Sequence, residues 1–196
     1  YKYLIAKEPE SADLHMRLGE TYRRSGNSGM AIEYFRRAKQ LQPNNPDAAI
    51  WLALLLHQTG KEADAKVEYE QILRLQNDNP VALNNLAYLL AEHGGDLDVA
   101  LTYAQRAKQR LPQSLEISDT LGWVYLKKNL RNNALEIYND LVAKAPQNPT
   151  FRYHRAMALF QSGDKPQARK ELESALRNNP NKEEEGKIRE MLEKIG

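Results

Sequence analysis

The sequence predicts an all-α protein in which helical hairpins stack along the chain. Three sets of residues recur at intervals close to 34 and predict this fold. The helix-ending set is Pro9, Pro43, Asn77, Pro112, Pro146 and Pro180, the small-residue set is Ala31, Ala65, Ala100, Ala134 and Ala168, and the turn set is Gly26, Gly60, Gly94, Asn129 and Gly163. Registers that stay in phase over five periods indicate supersecondary units that bury their apolar sides only by stacking on each other.

Each period contains a helix A, a tight turn, a helix B and a loop. The turn residue is Gly or Asn, which suits the left-handed conformation that ends a helix, and proline is common just beyond a helix end. We predict A helices over 12–25, 46–59, 80–93, 115–128 and 149–162, and B helices over 28–42, 62–76, 96–111, 131–145 and 165–178. The single extra residue falls at Gly94-Gly95, and Asp96 then serves as an N-cap.

These helices predict a single domain over residues 1–196. Its repeats span 12–45, 46–79, 80–114, 115–148 and 149–182, residues 1–11 form the tail of a preceding repeat, and 183–196 form a capping helix. Within the cap, Ile188, Met191, Leu192 and Ile195 share one face, so that the helix covers the last repeat and presents its polar side to water. The chain opens at Tyr1 without an initiator Met, and we expect it to be part of a longer protein.

The composition limits the classes of partner. The chain carries 28 Lys and Arg against 26 Asp and Glu, so it lacks the basic field that collects nucleic-acid phosphates. It has no cysteine, which excludes disulfides, thiolate chemistry and cysteine-bound zinc. No apolar run approaches the roughly 20 residues of a membrane span. We therefore expect no nucleic-acid partner and no direct membrane insertion.

The sequence offers no set of catalytic or cofactor-binding residues. Histidines occur once in each of four A helices, without the spacing of metal ligands: His15, His57, His93 and His154. A catalytic triad could be drawn from Ser114 or Ser118 with Asp119 and His154, but nothing places either serine on a strained turn. No glycine loop of the phosphate-binding type is present. We expect a protein without enzyme activity, cofactor or metal.

The repeat itself resembles a known family. Leu18, Gly19, Tyr22, Gly26, Ala31, Phe35, Ala38 and Pro43 are similar to the tetratricopeptide repeat (TPR) signature almost in full, and the resemblance covers essentially the whole chain. The departures are small residues in place of Gly at Ala53, Ala87 and Ala156, and Arg155 in place of Leu, which suggests looser packing near the cap. The resemblance implies a right-handed superhelical solenoid whose A helices line a concave groove that binds peptides or protein segments.

A finer resemblance concerns the bacterial envelope. The segments 84–107 and 119–129 are similar to bacterial envelope-associated TPR proteins, some of which accompany exopolysaccharide export or exosortase-type sorting. This likeness favours the periplasm or cell envelope over the cytoplasm.

Packing leaves one side of each A helix free to line the groove. Leu18, Gly19 and Tyr22 are committed to packing, and the same register in later repeats gives the candidate partner-binding residues Ile50, Leu54, Asn84, Asn85, Tyr88, Asp119, Trp123, Tyr153, Met157 and Phe160. Exposed aromatic patches mark contact surfaces, and Trp and Tyr are frequent binding hot spots. Alternatively, Ile50, Leu54, Trp123 and Phe160 fill space between curved repeats.

These residues predict a non-catalytic scaffold that binds a peptide or protein segment through two or three apolar anchors. The Lys and Asn set of the chaperone-adaptor carboxylate clamp is missing, which argues against that mode. Two alternatives remain open. One is a self-associating structural scaffold, a homo-oligomer formed through open repeat ends, with Tyr1, Leu4 and Ile5 exposed at one of them. The other is a targeting segment of a larger enzyme or envelope export protein. A glycan ligand is also not excluded by the sequence.

Overall fold

A computed structural model describes all 196 residues and consists of twelve α-helices connected by turns and short loops. The helices are α1 (Lys2–Lys7), α2 (Ala12–Arg24), α3 (Ser28–Leu41), α4 (Pro46–Gln58), α5 (Glu62–Leu75), α6 (Pro80–Glu92), α7 (Leu97–Arg110), α8 (Leu115–Lys127), α9 (Arg131–Lys144), α10 (Pro149–Gln161), α11 (Lys165–Arg177) and α12 (Lys182–Ile195). The A helices are α2, α4, α6, α8 and α10, each followed by its B helix. Every predicted A and B helix is confirmed to within one residue at each end. None of the helices has the length and apolar character needed to cross a membrane.

The helix ends follow local signals in the sequence. Asp96 accepts hydrogen bonds from the backbone N–H groups of Asp98 and Val99, which confirms it as the N-cap of α7. The predicted turn residues all adopt left-handed conformations, with φ of 77° at Gly26, 74° at Gly60, 71° at Gly94, 60° at Asn129 and 88° at Gly163. Only Gly, and at lower frequency Asn, adopts this conformation readily. Local chemistry therefore fixes where each helix pair turns.

The chain forms two compact units, Tyr1–Leu89 and Leu90–Gly196, which meet within α6. In the first unit, α2 packs on α3, α3 on α4 and α4 on α5. Its core includes Phe35, Leu52, Tyr69, Ile72 and Leu83, all fully buried. In the second unit, consecutive helices from α7 to α12 pack on one another, and α10 also contacts α8 and α12. Its core includes Val124, Tyr138, Leu141, Leu172 and Ile188.

Helices A and B approach each other closely where a glycine of A faces an aromatic ring of B. A Cβ added to Gly19 would lie 2.9 Å from the Phe35 ring, and one added to Gly122 would lie 2.7 Å from Cζ of Tyr138. Both distances are well below van der Waals contact. The close approach also lets the hydroxyl of Tyr138 donate to the backbone oxygen of Asp119 at 3.1 Å. Burial raises the pKa of this tyrosine well above its usual value, so the hydroxyl stays protonated.

The equivalent tyrosine of the first unit lacks this hydrogen bond. Tyr69 occupies the register of Tyr138 in a repeat where Ala53 replaces the glycine. Its ring is fully buried, and its hydroxyl has no hydrogen-bond partner. Because a methyl group on helix A stands where Gly122 has none, we attribute the difference to the larger residue at position 53. The cost of an unpaired buried hydroxyl is about 1–3 kcal/mol.

The last repeat has a partly polar interior, in line with the looser packing that Arg155 suggested. The Arg155 guanidinium lies 3.5 Å from the carboxylate of Glu171, which also pairs with Arg152 at 2.7 Å. The Nε of Arg155 is buried without a hydrogen-bond partner. The guanidinium groups of Arg152 and Arg155 thus share the carboxylate of Glu171. In the other repeats the position of Arg155 is a leucine.

Helix α12 caps the second unit as the sequence predicts. Ile188, Met191 and Ile195 are buried and join a cluster that includes Ala156 and Leu172. At its start, the Asn181 side chain accepts from the N–H of Glu184, whose carboxylate in turn accepts from the N–H of Asn181. This reciprocal pair is a capping box, which satisfies backbone groups at the start of the helix.

The glycine contact predicts opposite effects for two glycine-to-alanine substitutions. Gly122→Ala places a methyl group 2.7 Å from the Tyr138 ring, and we expect it to lower the free energy of unfolding by about 1–3 kcal/mol. Gly186→Ala lies within α12, where an added Cβ meets no atom within 4 Å. It should raise the free energy of unfolding by up to about 1 kcal/mol through helix propensity.

Urea unfolding followed by circular dichroism measures both changes. Equal effects of the two substitutions would mean that the Gly122 contact does not limit the approach of α8 and α9.

Candidate functional site

The ten candidate residues divide equally between the two units. Ile50, Leu54, Asn84, Asn85 and Tyr88 belong to the first unit, and Asp119, Trp123, Tyr153, Met157 and Phe160 belong to the second. Nine of the ten are partly exposed, whereas Trp123 is buried, with 8% of its surface accessible. We call the set Ile50, Leu54, His57, Asn84 and Tyr88 the first face, and the set Asp119, Trp123, Tyr153, His154 and Met157 the second face.

The first face combines aliphatic, aromatic and amide groups from α4 and α6. The His57 ring lies 5.8 Å from the Tyr88 ring and meets the buried Tyr69 ring edge-on at 6.5 Å, so His57 connects the face to the core. The amide of Asn85 donates to the backbone oxygen of Val81 at 2.8 Å, within its own helix. The Oδ1 of Asn84 has no hydrogen-bond partner. Because this oxygen is itself buried, the face offers mainly apolar area.

Charged residues of α2 neutralise each other in the same unit. Glu20 accepts from Nε and Nη2 of Arg23 at 2.6 and 2.8 Å and from Nε of Arg24 at 2.7 Å. These hydrogen bonds, first from Arg23 and then from Arg24, lower the pKa of Glu20 to about 2. The Arg23 guanidinium also lies 4.7 Å above the Trp51 ring, which stacks on Phe35. Arg23 is thus held by a carboxylate and an aromatic face together.

The second face is organised around His154. Its Nδ1 lies 2.7 Å from Oδ1 of Asp119, an ion pair when the imidazole is protonated and a hydrogen bond otherwise. The ring lies 4.7 Å from Trp123, 5.5 Å from Tyr138 and 5.6 Å from Tyr153. One imidazole thus links three aromatic rings and a carboxylate from α8, α9 and α10.

Trp123 is held by contacts from several sides. Its Nε1 donates to Oε2 of Glu92 at 3.0 Å, and the Lys127 ammonium lies 4.7 Å from its ring centroid. The same ammonium lies 3.2 Å from Oε2 of Glu92. With His154 on its ring as well, Trp123 is buried between its neighbours.

Residues of α10 share their surface with the cap. Tyr153, Met157 and Phe160 are half-buried against the cluster formed by α10, α11 and α12. Burial raises the pKa of Tyr153. Part of each of these side chains therefore packs against the interior, and the rest of its surface is accessible.

The geometry brings together only part of the triad considered from the sequence. Asp119 and His154 meet, but Ser118 is buried and its hydroxyl donates to the backbone oxygen of Ser114 at 2.7 Å. The same hydroxyl accepts from Lys108 at 2.6 Å. Neither contact directs Ser118 towards His154. No three His, Asp or Glu side chains come together as a metal site.

Sequence reasoning missed two residues that contact Trp123, Glu92 and Lys127, and it did not include His154 among the candidate binding residues. These contacts follow a regular separation in the sequence, which could have been used to predict them. His57 and Tyr88, Glu92 and Trp123, and Trp123 and His154 are each 31 residues apart in successive A helices. The pairs Glu92–Lys127 and Asp119–His154 are each 35 apart. Residues that contact each other on neighbouring A helices are therefore separated in sequence either by about one helical turn less than the repeat length or by slightly more than it.

Family models described as tetratricopeptide repeat match residues 12–45, 52–114 and 121–193. The chain belongs to the tetratricopeptide repeat family. No curated protein sequence matches it significantly. Since TPR modules are generally non-catalytic and bind proteins, the chain is a protein-interaction scaffold.

Solved structures of similar fold are TPR proteins too. A TPR protein from Parabacteroides merdae is 18% identical over 99% of this chain and 79% of its own, with a TM-score of 0.79. MamA from Desulfovibrio magneticus is 16% identical over 85% and 94%, with a TM-score of 0.73. YrrB, a TPR protein with an unusual peptide-binding site, is 17% identical over 93% and 94%, with a TM-score of 0.71. At these identities the similarity shows the fold alone.

The hydrogen bonds of Glu20 predict a pH-dependent contribution to stability. Because its pKa is about 2 in the folded protein and 4.5 ordinarily, the ionised carboxylate stabilises the fold above pH 4.5, and this contribution is lost as the pH falls towards 2. Glu20→Gln should lower the free energy of unfolding at pH 7 by about 1 kcal/mol, a value kept small because surface ion pairs are screened by water.

Thermal unfolding of both proteins between pH 7 and pH 2 measures the effect. The difference should shrink below pH 4.5, while Glu33→Gln on the exposed side of α3 should show no such trend. A difference that stays constant with pH would argue against the Arg23 and Arg24 contacts.

Proposed function

We propose that the A-helix faces bind a peptide or protein segment, with the first face providing the principal apolar anchors. The observation that carries this proposal is that equivalent positions of successive A helices hold half-exposed apolar and aromatic side chains. Ile50 and Leu54 on α4, with Tyr88 on α6, are partly accessible, whereas Leu52, Leu55 and Leu56 of α4 are buried. Side chains that fill only the interior have no reason to remain half-exposed.

The apolar character of the first face supports a peptide segment with apolar anchors as the ligand. The Oδ1 of Asn84 is buried, so the side chains that remain accessible carry the contact. Leu54 and Tyr88 then provide apolar contact. YrrB, which shares the fold, has a peptide-binding site of its own. The ligand class is therefore a peptide, and a glycan would find few pairs of polar groups on this face.

The proposal also includes the domain organisation of the chain. We propose that residues 1–196 act as one domain, with repeats at 12–45, 46–79, 80–114, 115–148 and 149–182 and with 183–196 as the cap. The candidate residues of the second unit, Asp119, Tyr153, Met157 and Phe160, then provide further contacts to a partner, and Trp123 lies behind them.

The proposal predicts that truncating the first face weakens peptide binding. Peptides would be selected from a phage-displayed library of random dodecapeptides against the whole protein, and affinity would be measured by fluorescence anisotropy. Leu54→Ala and Tyr88→Ala should each weaken binding about tenfold, since a buried anchor contributes about 1.5–3 kcal/mol before truncation. Circular dichroism should show unchanged helix content.

Apolar residues of α5 provide matched controls. Val67 and Leu75 are 51% and 47% exposed, and Val67→Ala and Leu75→Ala should leave affinity unchanged. If the α5 substitutions weakened binding as much as those of the first face, or if no peptide were selected, binding at the A-helix face would be refuted.

A further inference from the structure

We propose that the second face binds a cationic side chain, Lys or Arg, of the partner segment at the position where Lys127 now lies. This inference rests on the proposed function and adds the chemistry of one anchor to it. The site, called here the cation site, consists of the Glu92 carboxylate and the Trp123 ring.

The position of Lys127 shows that the cation site accommodates an ammonium group. The Lys127 Nζ lies 3.2 Å from Oε2 of Glu92 and 4.7 Å from the centroid of the Trp123 ring. A carboxylate and the face of an indole are the two surroundings that most favour a cation in a protein. The protein itself therefore provides the first example of a cation in this place.

Lys127 can be replaced without loss of the site. It is the last residue of α8, and 34% of its side chain is exposed. An exposed ion pair of this kind contributes little to stability. Glu92, by contrast, is held by the hydrogen bond from Nε1 of Trp123 at 3.0 Å, and Trp123 is packed on His154. The acceptor groups stay in place when the lysine swings away.

The surrounding charges favour a cation over an anion. The Glu92 carboxylate pairs with the Lys127 ammonium, and the Asp119 carboxylate pairs with His154. On α12, the nearby Lys187 pairs with Glu183 at 2.7 Å and Lys194 pairs with Glu190 at 2.6 Å. His154 is the remaining titratable group of α10 at Asp119. Displacement of Lys127 would leave the Glu92 carboxylate beside an aromatic face, an arrangement suited to a guanidinium that stacks and pairs at once.

The low exposure of Trp123 is explained by the same geometry. The indole has 8% of its surface accessible while the Lys127 side chain lies across it. A partner cation that takes the lysine's place would contact the ring directly. The residue that the sequence placed in the groove and that the structure buries thus becomes a contact residue once Lys127 moves.

A first experiment measures whether Lys127 covers the ring. The chain contains two tryptophans, so in a Trp51→Phe background Trp123 is the sole fluorophore. Adding Lys127→Ala should raise the acrylamide quenching constant about twofold or more. Lys144→Ala, which removes an exposed lysine paired only with Asp140 within α9, should leave it unchanged. Unchanged quenching in the Lys127 variant would overturn the covering role.

A second experiment identifies the partner chemistry. Random dodecapeptides displayed on phage would be selected against the whole protein and against its Lys127→Ala and Glu92→Gln variants. Gln keeps an oxygen that accepts from Trp123, so Glu92→Gln removes the charge and retains the packing. We expect Lys or Arg to be enriched in peptides that bind the wild type, more strongly for Lys127→Ala, and not for Glu92→Gln.

Affinities of one selected peptide then give the size of the effect. Lys127→Ala should tighten binding about three- to tenfold because the competing ammonium is gone, and Glu92→Gln should weaken it about tenfold or more. Replacing the peptide's Lys or Arg by Gln should weaken binding to the wild type and abolish the difference between wild type and Glu92→Gln.

The failures of the two proposals are distinguishable. If no peptide is selected by any variant, the proposed function fails. If peptides bind and depend on Leu54 and Tyr88 but show no basic residue, or are insensitive to Glu92→Gln, the cation site alone is refuted. Selection of acidic peptides that lose affinity in Lys127→Ala would show that Lys127 itself contacts the partner, which also refutes the cation site.

Discussion

The structure depends on the close contact between the two helices of each hairpin. Where a glycine of helix A faces an aromatic ring of helix B, as at Gly19 with Phe35 and Gly122 with Tyr138, the ring lies almost against the backbone. In the other repeats alanine takes the place of the A-helix glycine. On the B helices, the alanines at 31, 65, 100, 134 and 168 are all fully buried. Without side-chain bulk between them, the helices bury apolar area at the density of a protein interior.

This contact separates the positions that build the fold from those that can recognise a partner. The B-helix alanines are the same residue in all five repeats, whereas one position of the predicted A-helix groove is Met16, Ile50, Asn84, Asp119 and Tyr153 in turn. The packing contact between helices A and B requires a small residue in every repeat. The groove position carries no such demand, so each repeat can present different chemistry on an equivalent site.

The second face shows how polar groups become specific in such a stack. His154 contacts Asp119 and Trp123, and Trp123 in turn donates to Glu92. Each contact crosses from one A helix to the next, so the stacking of repeats assembles a site that no single repeat contains. Partial burial strengthens the electrostatic interactions within it, since fewer waters screen the charges. The Glu92 carboxylate beside the Trp123 indole, with Lys127 in contact with both, is therefore a site of defined geometry.

The sequence alone determined the repeat length, the helix boundaries, the left-handed turns and the amphipathic cap, because each follows from interactions within about one turn of helix or from the need to cover an apolar side. The sequence also proposed Leu54, Asn84 and Tyr88 as binding residues, and all three are partly exposed. Only the tertiary structure decided that Trp123 is buried and that Glu92 and Lys127 join it. Those contacts connect residues 31 and 35 positions apart on different helices, and their geometry depends on how far one A helix is rotated and shifted against the next. Packing of the whole repeat sets that offset, and local sequence does not encode it.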